Sequence, residues 1–151
     1  MLNLRGDGLV YHTAPFARSE VLGGAAFEIW APFDVADTDL TARLFEIRPS
    51  GASLLLTSSE LRARYHRPAT SAPHQPNLYR LELANSFVRR IQRGSRLRLV
   101  IGPPQPFLGE PNFGTGSPNP GDDTPANART AHVTVLHDAA HPTSLELFLV
   151  R

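Results

Sequence analysis

Four groups of side chains in this 151-residue chain have types and spacings that could do chemistry. The first is Gly116-Ser117-Pro118. A serine nucleophile needs a sharp G-x-S-x-G turn between a strand and a helix, a histidine base held by a carboxylate, and backbone donors for the oxyanion. No G-x-S-x-G occurs, and Pro118 removes a backbone N–H where such a donor would stand, so Ser117 reads as a turn serine. The second is His137 and His141, whose H-x-x-x-H spacing would converge on zinc from one face of a helix. Here the two bracket a turn, with Pro142 next, and each ring suits hydrogen bonding of backbone groups between the last strands. No cofactor or metal site is assigned.

The third group is Asp34, Asp37 and Asp39, an alternating set of hard oxygen ligands of the kind calcium takes, but with too few further ligands nearby. Asp37 is expected to make an Asx-type turn where its strand begins. Asp39 is expected to pair with Arg62 or Arg64. The fourth group is Arg89, Arg90, Arg93, Arg96 and Arg98, dense enough to contact phosphates. No row of aromatics accompanies them, so a solvated or partner-facing surface is expected and nucleic acid is not. Trp30 falls on the Glu28 side of its strand, out of phase with Phe27 and Ile29, where it suits an interface or a sugar-stacking platform.

Strands must position these groups. Apolar and polar residues alternate with period two at Phe27 to Pro32, Leu61 to His66, Tyr79 to Leu83, Arg96 to Ile101 and His132 to Val135, which predicts half-buried strands of antiparallel sheets. Turn signals at residues 6–8, 23–24, 49–51, 67–76, 94 and 139–142 separate about eight or nine short strands, enough for a two-sheet sandwich. Only Asn85 to Gly94 hints at a helix, with Ser86 as N-cap, Phe87, Val88 and Ile91 as an inner face and Gly94 as a stop. Seven prolines between Pro103 and Pro125 exclude regular structure there and predict one long Pro/Gly-rich loop. Phe107 and Phe113 lie in it, and with Trp30 they are the candidate interface residues.

Composition narrows the classes. The length fits one domain over residues 1–151, and the balance of 15 basic against 14 acidic residues gives no general attraction for nucleic acid or an acidic membrane. With no cysteine there are no disulfides or thiolate metal sites. No signal peptide or membrane-spanning run is read from the sequence, which favours a soluble, cytoplasmic protein. Every Lys/Arg position is arginine, the bias of a GC-rich, bacterial genome.

The order of motifs carries a further indication. Asp37-Thr38-Asp39-Leu40-Thr41-Ala42-Arg43-Leu44, Arg48-Pro49-Ser50-Gly51, Leu61-Arg62-Ala63-Arg64-Tyr65, Gly94-Ser95-Arg96-Leu97-Arg98-Leu99 and His137 through Leu145 resemble, in sequence, the C-terminal β-sandwich of the X-Pro dipeptidyl-peptidase and cocaine-esterase (CocE/NonD) group of serine hydrolases. Where that group carries a P-R-[FW]-x-R-N-x-N-T-G loop, this chain has Pro111 to Gly121 without the arginines. The resemblance implies an all-β, jelly-roll β-sandwich similar to galactose-binding domains. It also implies a structural pairing of Asp37 and Asp39 with Arg62 and Arg64. By the same resemblance the chain is a non-catalytic accessory domain that packs on an α/β-hydrolase catalytic domain, in cis or in trans, shapes its active-site entrance and helps assemble a homo-oligomer. The triad of that dipeptidyl-peptidase or acyl esterase would lie outside this sequence. The rival reading is a stand-alone carbohydrate-binding sandwich using Trp30, Tyr11 or Tyr65 as its platform.

Overall fold

The alternating rows build two antiparallel layers. The computed structural model describes residues 8–66, 73–82, 87–103 and 110–150, and within them the strands are β1 (Leu9–His12), β2 (Glu20–Ala31), β3 (Asp39–Ile47), β4 (Ser53–Arg62), β5 (Asn77–Glu82), β6 (Arg89–Ile91), β7 (Arg96–Gly102) and β8 (Ser144–Leu149). One sheet has the order β1-β7-β3-β4; in the other, β2 is central. Leu22 pairs with both Arg89 and Leu149, and Ala26 with both Glu82 and Glu146. So β8 runs along one edge of β2, while β6 and β5 follow one another along the other. The architecture is a β-sandwich.

Phe27, Ile29 and Ala31 of β2 face Leu40, Ala42 and Leu44 of β3 and Leu97, Leu99 and Ile101 of β7 across one apolar interior. Each such side chain contributes about 1.5–3 kcal/mol on burial, and a one-residue slip would turn a whole row to water, so the register is fixed. The β3–β4 hairpin closes through Arg48 N–H donating to Ala52 O (2.9 Å) and Gly51 N–H to Arg48 O (2.8 Å), with Gly51 at φ 85°. Among the described residues of the long loop, 110–125, the only regular element is a 3-10 turn at Pro120–Asp122. No helix among the described residues is long and apolar enough to cross a membrane.

Three local expectations fail. The helix expected over 85–94 is not formed at its described residues: Arg89–Ile91 is β6, paired with Glu20–Leu22, while Ser86 lies outside the described residues. Phe87 packs on the core, Arg89 makes an internal ion pair and Ile91 is fully buried, whereas Val88 is exposed. That period-two set defeats the helical one because a helix of two turns is marginal on its own. Second, the strand expected over 61–66 stops at Arg62 and becomes a 3-10 turn, Ala63–Tyr65. Arg64 N–H donates to the Asp37 carboxylate rather than to a ladder. Third, Val133 and Val135 belong to no strand; a single bridge joins Phe33 to Val133. Thr134 N–H reaches Pro32 O at 3.1 Å and Leu136 N–H reaches Trp30 O at 2.9 Å, but Pro32 has no N–H to return and Trp30 N–H donates to Thr143 Oγ1, so no reciprocal ladder forms.

The register of β2 against β8 shifts between Leu22 and Gly24, and Gly24 has φ 154°. A Cβ there would lie 3.1 Å from the Phe148 ring. Gly24→Ala is expected to lower the unfolding free energy in urea by about 1–3 kcal/mol, the usual cost of a backbone region reserved for glycine. An unchanged urea midpoint would show that the bulge carries no such constraint.

Candidate functional site

Two carboxylates and two guanidiniums meet where β3 begins and β4 ends. The register sets Asp39 opposite Arg62, with Arg62 Nε 3.1 Å from Asp39 Oδ1 and side-chain exposures of 12% and 4%. Just beyond the strand ends, Arg64 Nε lies 2.6 Å from Asp37 Oδ2 and Arg64 N–H donates to Asp37 Oδ1 at 3.0 Å. Asp37 is wholly shut from solvent. It therefore does not make the Asx-type turn expected of it: its oxygens are taken by Arg64 from the neighbouring strand end, the compensation a buried charge requires.

The long loop closes over these pairs. Asn112 Nδ2 bridges Asp39 Oδ1 (2.7 Å) and Asp37 Oδ2 (3.2 Å), while Asn112 Oδ1 accepts Gly114 N–H at 3.0 Å. Arg62 extends past Asp39 to Glu110, reaching its carbonyl at 2.8 Å and its carboxylate at 3.1 Å. Arg64 Nη1 donates to Ser117 O. Gly116, at φ 72°, lies so close to Ala36 that a Cβ would come within 2.5 Å of the Ala36 methyl. Burial works against the charge of Arg62, but the bonds and charges of Asp39, Glu110 and Asp37 together outweigh it and the guanidinium pKa sits above its ordinary value. Every group here neutralises another, so the arrangement orients the loop and leaves neither carboxylate free as an acid or base. Ser117 is bound into its turn, its hydroxyl donating to Asn119 O at 2.9 Å and its N–H donating to Thr115.

The other candidates scatter. Asp34 does not join Asp37 and Asp39; it accepts His132 N–H (2.8 Å) and the His132 ring (2.7 Å), and these bonds hold its carboxyl below the usual range. His137 meets the Tyr11 hydroxyl at 2.9 Å and His141 meets Asp138 at 3.1 Å, so the two rings serve different partners. Trp30 is half-buried on the outward side of β2 with the His141 ring edge-on 5.1 Å away. Phe113 is half-buried and its carbonyl accepts Arg129 N–H, while Phe107 lies outside the described residues. Tyr65 is exposed with the Arg64 guanidinium 5.6 Å over its ring. The five clustered arginines do not lie on one strand: Arg89 and Arg90 are on β6, Arg93 is in the turn that follows, and Arg96 and Arg98 are on β7 of the other sheet.

Sequence reasoning missed a second buried carboxylate. Glu46 is wholly shut from solvent near the far end of β3 and receives Arg89 Nε (3.2 Å) and Nη2 (3.1 Å) and the Ser95 hydroxyl (3.0 Å). Arg89 comes from the opposite sheet, so this ion pair ties the two layers. Its signal was available: Glu46 continues the inward phase of Leu40, Ala42 and Leu44. Asn112 and Glu110 had no comparable signal, because loops have no period.

A cleft of about 620 Å³ opens beside this lock, with Asp39, Asn112, Arg129 and His132 in its lining. Its walls are strand ends and loop. Residues 2–146 match the X-Pro dipeptidyl-peptidase C-terminal non-catalytic domain, and the chain belongs to that family. No curated protein matches the sequence. Among solved structures, an α-amino acid ester hydrolase is similar with a TM-score of 0.83 and 21% identity over 99% of this chain and 26% of its own. An aminopeptidase from a marine-sediment Thaumarchaeota archaeon is similar with a TM-score of 0.81 and 20% identity over 99% of this chain and 27% of its own. A CocE/NonD family hydrolase from Staphylococcus aureus is similar with a TM-score of 0.66 and 15% identity over 95% of this chain and 30% of its own. This chain thus spans between a quarter and a third of the length of these relatives.

Removing one partner from a buried ion pair costs about 3–5 kcal/mol. Asp37→Ala is expected in that range by urea unfolding. Asp39→Ala and Arg62→Ala together are expected to cost less than the sum of the single changes, with a coupling of about 0.5–3 kcal/mol. Strict additivity would mean that the geometric pair carries no energy.

Proposed function

We propose that the whole chain, residues 1–151, acts as one accessory module on an α/β-hydrolase catalytic domain, in cis or in trans, and holds the loop around residues 110–123 at the entrance to that domain's active site. The observation that carries this reading is the lock itself. The buried charges of Asp37 and Asp39 fix a loop at the end of the sandwich, and ordered long loops in compact domains are usually functional. Membership of a non-catalytic domain family supports it, as does the likeness to regions of much longer hydrolases. The hydrolase it serves would cleave an ester, amide or peptide bond through an acyl-enzyme on its own serine, histidine and aspartate.

The isolated chain should then turn over no chromogenic ester or X-Pro anilide. With the catalytic domain present, Asn112→Ala, which unties the loop without leaving a buried carboxylate unpaired, is expected to raise KM by about tenfold with kcat little changed, the pattern of lost substrate binding. A catalytic domain whose turnover, KM and melting temperature are the same with and without this chain would refute the proposal.

A further inference from the structure

We infer that the outer face of the β1-β7-β3-β4 sheet is the surface that docks on the hydrolase domain, and that Arg43 at its centre receives a carboxylate from that domain. The inference rests on the accessory reading above and says which face does the work and what chemistry it meets.

The register decides what this face carries. With Leu40, Ala42 and Leu44 pointing inward, Arg43 and Phe45 point outward from β3, and the paired rows add Val10 and Val100 beside Arg43 and Arg98 and Leu55 beside Phe45. Val100 and Phe45 are 1% and 6% exposed although neither belongs to the interior cluster, while Val10 and Leu55 are 37% and 56% exposed at the two edges. The open aliphatic surface of this face therefore lies at its two edges, and exposed apolar area of this kind marks an interaction site.

The charges on the two outer faces are treated differently. On the β2 sheet Arg80 sits 2.6 Å from Glu28, 3.4 Å from Glu146 and 3.9 Å from Glu82, so the cation of that face is already met by carboxylates of its own sheet. On the β3 sheet Arg98 donates to His12 (2.8 Å) and Arg96 to Thr13 O (3.4 Å), neither of them a carboxylate. Glu60 is the acidic group beside the centre, and it accepts from the Thr41 hydroxyl at 3.4 Å. Asp39 and Arg62 neutralise each other at the strand ends. Arg43 has no acceptor among the described residues, and its Nε is shut from solvent. A guanidinium with a desolvated, unused donor is a site for a carboxylate, which it binds with charge-assisted geometry.

That excess of cations also selects the occupant. A two-fold contact sets one patch against its own copy, which would bring Arg43 against Arg43. A second copy is therefore disfavoured, and a surface bearing Asp or Glu flanked by aliphatic side chains fits. In the similar hydrolases and the aminopeptidase, about three quarters of the chain lies outside the matched region, enough polypeptide to supply such a surface.

The test is calorimetric titration of this chain with the α/β-hydrolase domain encoded with it. Arg43→Glu is expected to weaken binding at least tenfold, and the wild-type affinity to fall as salt is raised. Arg80→Glu, on the opposite face, is expected to leave it unchanged. Circular dichroism of each free variant checks folding, and Leu55→Asp on the exposed edge strand serves if Arg43→Glu fails to fold. Binding that survives both Arg43→Glu and Leu55→Asp would overturn the inference while leaving the accessory role standing. No binding by the wild-type chain would remove that role as well. A wild-type dimer in sedimentation that Leu55→Asp dissolves would give the face to a second copy instead.

Discussion

A carboxylate cannot stay out of water unless a cation and further donors stay with it. Asp37 and Asp39 impose that condition where β3 begins, and much of the local structure follows from it. Arg62 must stand opposite Asp39, which agrees with the β3–β4 register that the apolar rows demand. Arg64 must turn its backbone N–H toward Asp37, and β4 ends there. The remaining oxygen valences are filled from the long loop through Asn112, and the outer ends of the two guanidiniums hold the carbonyls of Glu110 and Ser117. The loop's path is the consequence of neutralising two acids.

The same strand carries a second lock near its other end. Glu46 binds Arg89 from the opposite sheet and Ser95 from the turn before β7. Between the locks β3 is apolar on its inner side, so its middle is held by packing and its ends by charge. Such pairs add little net stability over well-packed apolar residues, yet breaking one is costly. They are therefore suited to fixing position, as the proposed accessory role would require.

The strands were legible wherever burial imposed period two. Phe27, Ile29, Leu97 and Leu99 needed no partner information beyond their own alternation, and the motif order from Asp37 to Leu145 resembled the family to which the chain belongs. Failures fell where another interaction took over. At Arg89 the pull of Glu46 and the pairing with β2 replaced a helical turn. At Arg64 a side-chain acceptor ended a strand whose alternation continued through Tyr65. At Asp37 the expected local turn lost to a partner 27 residues away. The loop contacts of Asn112 and Glu110 had no signal in spacing, because a proline-rich segment follows neither period; only Gly114 and Gly116, both at positive φ, marked it as tightly folded.

The central claim, that buried charge ties the loop to the sandwich, is tested most directly by native-state hydrogen exchange at two amides. Arg64 N–H donates to Asp37 and the buried Gly114 N–H donates to Asn112. Both are expected to be protected to nearly the same free energy as the Leu44 and Leu99 amides of the core strands, opening only with the whole domain. Exchange of both at unprotected rates, while Leu44 and Leu99 stay protected, would contradict the claim: the loop would then be independent of the charges beneath it.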